Sequence, residues 1–229
     1  MKDLFTFFVN FKTYSQGSGK KALELARSLE KVSKKFGWPV VLLIQPFDFY
    51  LLRQEVSLPL WLQYLDPWPA GAHTGAISLE TALEAGAKGA LLNHSERPLP
   101  PGKTKQIVSL VRKKSLSDFS LMVAVKTRGQ AERLVKIKPD YLAYEPKELI
   151  GTRISVSQAR SKTVRKIVLL GRRYQVPVVV GAGIHSGKDV LLAKKMGASG
   201  VLVSSAIVLA SSPQEKLAEL MSLIEKVKK

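Results

Sequence analysis

The sequence contains no cysteine and only three histidines, His73, His94 and His185. Without cysteine, disulfides, thiolate metal sites and covalent thiol catalysis are excluded. No two of the histidines have the spacing that places two metal ligands on one face of a helix, so we predict no zinc site. These absences remove two common classes of functional site before any motif is considered.

Long apolar runs and low-complexity tracts are also missing. The first segment, MKDLFTFFVNFK, has a short apolar run that Asn10 and Lys12 interrupt, which is too short and too polar for a signal peptide or a membrane span. We therefore expect a cytoplasmic protein. With 45% apolar and 24% charged residues, the composition is typical of an ordered domain with a substantial core.

Acidic residues are scarce, because 18 Asp and Glu stand against 36 Lys and Arg, which gives a net charge of +18. Such an excess raises the question of a nucleic-acid or anionic-membrane partner. The basic residues are scattered in pairs along the chain, without interleaved aromatic residues or a nucleic-acid motif. We interpret them as a general solvated coat on outer helix faces, and we expect neither a nucleic acid nor a membrane as partner.

Eight strand-like apolar runs are present, and helical patterns lie between most of them. The runs are 4–11, 39–44, 59–64, 89–93, 120–125, 140–144, 177–182 and 200–204. Helical spacing is clearest in the first and the last pattern, at Leu25, Leu29, Val32 and Phe36, and at Leu217, Leu220, Met221, Ile224 and Val227. The helix after the second strand, around FDFYLLRQE, is short and weak.

Eight strand–helix units of about 29 residues each are close to the smallest βαβ step. The sequence therefore predicts an α/β fold, a single-domain (β/α)8 barrel that covers residues 1–229. A doubly wound open sheet is the alternative. In a barrel, working residues lie at the carboxyl ends of the strands and in the loops that follow them.

Polar residues follow three of the predicted strands at this end. Asn10 and Lys12 follow the first strand, and alternation along an extended chain places both on the side opposite Phe11. His94 follows the fourth strand, near a helix start whose partial positive charge disfavours the protonated imidazole. Glu145 ends the sixth strand, which Pro146 stops because proline cannot donate to the ladder.

Turns of small residues follow the last two strands, GAGIHSG at 181–187 and SSA at 204–206. Such turns present backbone N–H groups to phosphate, which barrels often bind after strands seven and eight. The glycines of GAGIHSG do not match a dinucleotide fingerprint, so we do not predict a Rossmann site. A lysine, a histidine, a carboxylate and two phosphate-binding turns on one rim together predict an active site.

Five motifs carry a family resemblance. They are N-F-K at 10–12, N-H-S-E-R at 93–97, Y-E-P-K-E-L-I-G-T at 144–152, G-A-G-I at 181–184 and G-V-L-V-S-S at 200–205. In this order and spacing the chain resembles the triosephosphate isomerase family, and its compact length and P-x-E-L-I-G-T lid resemble the archaeal-type branch. The resemblance implies interconversion of dihydroxyacetone phosphate and D-glyceraldehyde 3-phosphate through an enediolate, without a metal or organic cofactor.

The resemblance also implies roles that this family is known for. Glu145 is expected to be the base, His94 to polarise the carbonyl, Lys12 to stabilise negative charge and Asn10 to orient the substrate. Glu96 is expected to position Lys12. Phosphate is expected to be bound by Asn10 and Lys12 and by the backbone at Ile150, Gly151, Gly183, Ser204 and Ser205.

The loop DPWPAGAHTGAIS, 66–78, corresponds to a family loop that inserts into a neighbouring subunit, with Thr74 near the partner's catalytic lysine. The resemblance therefore implies a homodimer or a homotetramer.

Arg153 stands where relatives commonly have glycine, and Lys147 adds a lid charge, so both bear on lid motion. Two other functions stay open: a basic barrel retained as a nucleic-acid-binding or scaffold module, and an enzyme for a larger sugar phosphate. We assign His73 and His185 no catalytic role.

Overall fold

The structure, a computed structural model, describes residues 4–114, 116, 118–146, 149 and 156–225. Eight parallel strands close into a barrel in chain order, since β1 pairs with both β2 and β8. The strands are β1 Thr6–Asn10, β2 Val40–Ile44, β3 Leu60–Leu62, β4 Gly89–Leu92, β5 Ser120–Val125, β6 Tyr141–Tyr144, β7 Val178–Gly181 and β8 Gly200–Val203. The predicted (β/α)8 barrel is confirmed, and the open sheet is wrong. That residues 1–229 form one domain stays a prediction.

Helices pack around the strands as the predicted alternation requires. They are α1 Gly19–Phe36, α2 Phe49–Arg53, α3 Leu79–Glu84, α4 Pro101–Lys113, α5 Arg128–Leu134, α6 Val156–Ala159, α7 Ser161–Tyr174, α8 Gly187–Lys195, α9 Ser205–Val208 and α10 Pro213–Glu225. Short 3-10 turns cover Ser15–Gly17, Pro46–Asp48 and Val135–Ile137. The helix after β2 is short, as predicted. The last predicted apolar stripe lies on α10, although Val227 is outside the described residues.

Most strands are shorter than the apolar runs that predicted them. Prolines precede three strands and supply only their carbonyl groups to the ladder; for example, the carbonyl oxygen of Pro39 accepts from the amide of Phe7 at 2.9 Å. At the other end, left-handed residues stop two strands, with φ of 57° at Asn93 and 71° at Ala182. Strand interiors were therefore predicted well, and strand ends were not.

The core has two layers, because successive strand residues point in opposite directions. One layer lies between strands and helices and includes the fully buried Phe7 and Phe11. The other fills the barrel interior, where the ring of Phe8 lies 5.4 Å from that of Trp61 and 5.3 Å from that of Tyr141. These three rings border the amino end of the barrel and leave the carboxyl end to polar side chains.

Candidate active site

A small cavity of about 60 Å³ opens at the carboxyl ends of the strands. All the predicted site residues within the described part of the chain line it: Asn10, Lys12, His94, Glu145, Gly183, Ser204 and Ser205. Ile150 and Gly151, together with Lys147 and Arg153 of the expected lid, lie outside the described residues. The closed barrel thus brings residues from five strand ends to one point.

Lys12 reaches the cavity through a turn, not through an extended strand as predicted. β1 ends at Asn10, and Lys12 has a left-handed φ of 50°. The side-chain oxygen of Asn10 accepts from the backbone amide of Lys12 at 3.0 Å, which fixes the turn. Gln63, which motif reasoning missed, donates from Nε2 to the carbonyl oxygen of Lys12 at 3.0 Å and braces the turn from the end of β3.

The ammonium group of Lys12 forms an ion pair with Glu96, with 2.6 Å between Nζ and Oε1. The lysine side chain is 15% exposed and the glutamate side chain 55% exposed. Lys12 is therefore held at the cavity by a carboxylate that remains half in solvent. Glu96 lies where a positioning role for this lysine requires it.

The segment before His94 is fixed by a buried asparagine. Asn93 donates from Nδ2 to the carbonyl oxygen of Ala124 at 2.8 Å and accepts at Oδ1 from the amide of Leu99 at 2.9 Å. The motif N-H-S-E-R contains this residue, but its bridging of β5 and the loop depends on the tertiary fold.

The helix after β4 does not begin near His94, as the sequence suggested, but at Pro101. Prolines at 98 and 100 explain the delay, since each removes a backbone donor. A single turn follows His94 instead, in which the amide of Arg97 donates to its carbonyl oxygen at 3.0 Å.

The imidazole of His94 is polarised by one backbone amide. Its Nδ1 accepts from the amide of Glu96 at 3.3 Å, and Glu96 Oε2 is farther from Nδ1, at 3.6 Å. A ring nitrogen that accepts a hydrogen bond carries no proton, so the proton belongs on Nε2 and the ring is neutral. Nε2 lies 3.5 Å from Oε2 of Glu145, across the cavity.

Glu145 is a buried carboxylate, only 6% exposed. Its amide donates to the carbonyl oxygen of Val125 at 2.9 Å, so the sheet holds its backbone. Among the described residues, Oε2 has no hydrogen-bond partner. Burial raises the pKa of the Glu145 carboxyl group, and the positive charge of the nearby Lys12 opposes that rise. The result is a carboxylate that is a stronger base than an exposed one.

Gly181, the last residue of β7, makes room for this carboxylate. A methyl group added there would lie 2.5 Å from Oε1 of Glu145 and 2.7 Å from its Cγ. We did not single out Gly181 from the sequence, although a glycine that ends an otherwise Val-rich strand is a signal of close approach.

The turn after β7 divides into a site part and a packing part. Ala182 and Gly183 have positive φ, 71° and 65°, and both line the cavity. Gly187 does not lie in the cavity, since it is the first residue of α8, where Ser186 and Asp189 form a capping box. A methyl group there would lie 2.8 Å from the carbonyl oxygen of Glu219. The cavity lining of GAGIHSG therefore ends at His185, and Ser186 and Gly187 belong to the start of α8.

The residues after β8 close the cavity on its remaining side. Ser204 donates from its hydroxyl group to the carbonyl oxygen of Asn10 at 2.7 Å, which ties β8 to β1. Ser205 begins α9, and the first amides of a helix have no partner within it. Gly183 and Ser205 thus flank a pocket edge that suits an anion.

Within the ranges that the structure describes, no three His, Cys, Asp or Glu side chains are grouped so that they could hold a metal ion. No helix in the described part of the chain is both long and apolar enough to span a membrane.

Comparison with known proteins gives one consistent result. The family model described as triosephosphate isomerase matches residues 5–226. Triosephosphate isomerases of Methanothermus fervidus and Methanobrevibacter smithii are each 38% identical to this chain over 216 residues, which is 93% of this chain and 96% of the relative. That of Saccharolobus solfataricus is 37% identical over 208 residues, 90% of each chain.

Proposed function

The chain belongs to the triosephosphate isomerase family, and from that premise we propose that it interconverts dihydroxyacetone phosphate and D-glyceraldehyde 3-phosphate. The observation that carries the proposal is the 3.5 Å separation of His94 Nε2 and Glu145 Oε2 across a small cavity. A base and a neutral hydrogen-bond donor at this distance can act on adjacent carbon and oxygen atoms of one substrate.

Glu145 removes a proton from the carbon next to the carbonyl group and returns it to the neighbouring carbon. Its burial supports this role, because a desolvated carboxylate binds a proton more tightly. His94 donates from Nε2 to the oxygen on which negative charge develops, and the proton moves between the two enediolate oxygens through this imidazole. A neutral imidazole suits both steps, since it can give and regain one proton.

Lys12 stabilises the negative charge of the substrate and the enediolate, and Asn10 orients the substrate beside it. The backbone of Gly183, Ser204 and Ser205 binds the phosphate. This assignment is supported by their position on the edge of the cavity. That Ile150 and Gly151, which lie outside the described residues, also bind the phosphate stays a prediction.

We also propose that the chain assembles into a homodimer or a homotetramer. A cavity of about 260 Å³ lies beside Lys12, where the guanidinium group of Arg97 stacks on the ring of Tyr64 at 3.5 Å. Thr74 lies in an exposed loop, and Phe47 is 94% exposed. In the proposed assembly, the loop of one protomer enters the cavity of the other, and Phe47 lies in the contact. The cytoplasmic location stays a prediction.

The test is turnover of Glu145→Gln and Glu145→Asp in a coupled assay with triose phosphate. We expect Glu145→Gln to lower kcat by about 10²- to 10⁴-fold, with KM little changed, because the base is lost while the phosphate contacts remain. Glu145→Asp retracts the carboxylate by one methylene group and also lowers kcat sharply. Glu24→Gln, an exposed change of the same type on α1, keeps full turnover. Near-normal turnover of Glu145→Gln would refute the assignment.

A further inference from the structure

The basic charge of this chain is concentrated in one third of its length. Residues 101–175 contain 18 Lys and Arg and 5 Asp and Glu, which gives 18 − 5 = +13. The rest of the chain contains 18 Lys and Arg and 13 Asp and Glu, which gives 18 − 13 = +5. The excess is therefore not an even coat over the whole surface.

The fold turns this segment into one continuous surface. It supplies α4, α5 and α7, which follow each other around the barrel. The guanidinium group of Arg112 donates to the carbonyl oxygen of Lys138, which joins the end of α4 to the turn after α5. α7 packs against α5 and against the 3-10 turn Val135–Ile137. We call the exposed Lys and Arg side chains of these three helices and of the turn through Lys138 the basic face.

Acidic side chains do little to offset this charge. Glu132 pairs with Arg128 at 2.7 Å, the carboxylate of Asp140 accepts from the amide of Leu121 at 2.9 Å, and Glu145 lies inside the barrel mouth. Asp118 completes the acidic residues that the structure describes in this segment, and Glu148 lies outside the described residues. From outside the segment, Glu80 pairs with Lys114, directly after α4, at 2.8 Å. The basic face therefore presents a predominantly positive field.

We propose that the basic face binds double-stranded nucleic acid through its phosphate backbone, without reading base sequence. Neighbouring helices lie about 10 Å apart, and a helix of 13 residues is about 20 Å long, so the cations cover an area that both strands of a duplex can span. Charge complementarity of this kind gives affinity that depends strongly on salt and weakly on sequence.

The scarcity of exposed aromatic and apolar side chains on these helices favours a duplex over other polyanions. Single strands are held by stacking on exposed aromatic rings, and no Phe, Tyr or Trp among its described residues is exposed. Membrane-surface helices bury an apolar stripe, whereas Leu169 is the exposed large apolar residue of this part of the described chain. Binding of the phosphate backbone of a duplex requires neither exposed aromatic rings nor an apolar stripe.

Cations in the last turn of a helix also stabilise the helix dipole, and Arg112, Lys113, Arg172 and Arg173 lie in such turns. That role predicts a change in thermal stability and no binding of DNA. The last turns of α4 and α7 lie at the amino end of the barrel, so these four cations are away from the cavity at the carboxyl end. Duplex binding should therefore leave triose phosphate turnover unchanged.

The experiment measures binding of a short DNA duplex of arbitrary sequence by fluorescence anisotropy over a range of salt concentrations. The variant replaces Lys113, Lys136, Lys166 and Arg173 by Gln, all exposed positions on the basic face. A matched control replaces Lys20, Lys21, Lys31 and Lys35 of α1 by Gln, which removes the same net charge from another surface. Turnover and thermal melting of both variants establish that each is folded.

We expect the wild type and the α1 control to bind the duplex alike. The basic-face variant should bind about tenfold or more weakly at roughly 100 mM salt, and its plot of log K against log salt should be shallower by about 3 to 4. Equal loss in both variants, or no binding by the wild type, would overturn the proposal. Equal affinity for single-stranded DNA or for anionic vesicles would overturn the choice of a duplex.

Discussion

The two ends of the barrel differ in what their close contacts accomplish. At the carboxyl end, left-handed residues follow three strands, at Lys12, Asn93 and Ala182. The other non-glycine residues with positive φ in the described ranges, Lys138 and Gln175, only cap helical segments. Left-handed backbone costs about 1 kcal/mol per residue, so it persists where surrounding structure holds it.

At the amino end, Lys138 and Gln175 lie in the turns that lead into β6 and β7, away from the barrel interior, which is bordered there by packed rings. Phe8, Trp61 and Tyr141 contact each other, and Gly89 lies directly against Trp61. Glycine thus provides space at both ends, for a carboxylate at Gly181 and for an indole at Gly89. One end of the barrel is built to hold reactive groups and the other to hold the fold together.

The pair Gly181→Ala and Gly89→Ala tests this comparison with one chemical change and should give the largest effect. At Gly181 the new methyl group displaces Glu145, and a displacement of about 1 Å can cost about 10²-fold in kcat. At Gly89 the methyl group would lie 2.5 Å from Cε2 of Trp61, so stability falls by about 1 to 3 kcal/mol while turnover per folded molecule stays normal. Coupled assays and urea denaturation measure both. If both variants lost only stability, the comparison would be wrong.

An intermediate effect is expected from Asn93→Ala, which sharpens the role of the polar turns. The change leaves the carbonyl oxygen of Ala124 and the amide of Leu99 without their partner, so stability falls by about 1 to 3 kcal/mol. Because the turn also positions His94, kcat should fall by about tenfold or more. Asn93→Asp keeps the acceptor for Leu99 and should lose less of both. Normal kcat in Asn93→Ala would show that the turn supports only the fold.

The smallest expected effect is on the pH dependence of activity and stability. It should come from Glu145 at the carboxyl end and not from the amino end. Burial raises the pKa of Glu145 above its usual 4.5, so the acidic limb of kcat/KM should lie above that of an ordinary glutamate. The folded protein also holds this proton more tightly than the unfolded chain. Its contribution to stability is therefore full below the ordinary glutamate pKa and is lost as pH rises through the raised value, by at most about 1.4 kcal/mol per pH unit. Glu145→Gln should lack this part of the pH dependence, whereas Gly89→Ala should retain it.

Sequence motifs predicted the residues at the strand ends, because apolar periodicity and the Pro and Gly residues that stop a strand are local signals. The roles of Gly181, Gln63 and Asn93 were missed, because each acts on a residue that only barrel closure brings near. The concentration of basic residues in 101–175 can be counted in the sequence, but their arrangement on one face depends on the fold. Arg112 and Lys138 are far apart in sequence and become neighbours only when α4 and the turn after α5 pack side by side.

Lys12 has an anionic partner before any substrate arrives, because Glu96 already neutralises it at 2.6 Å. If Lys12 binds the substrate as proposed, an incoming phosphate ester exchanges one counter-ion for another instead of neutralising a bare ammonium group. The departing carboxylate is already half hydrated, so its release into water costs little. Under the proposed function, the side chain of Lys12 stays ordered throughout the cycle, because it is paired with Glu96 before the ligand binds and with the ligand afterwards.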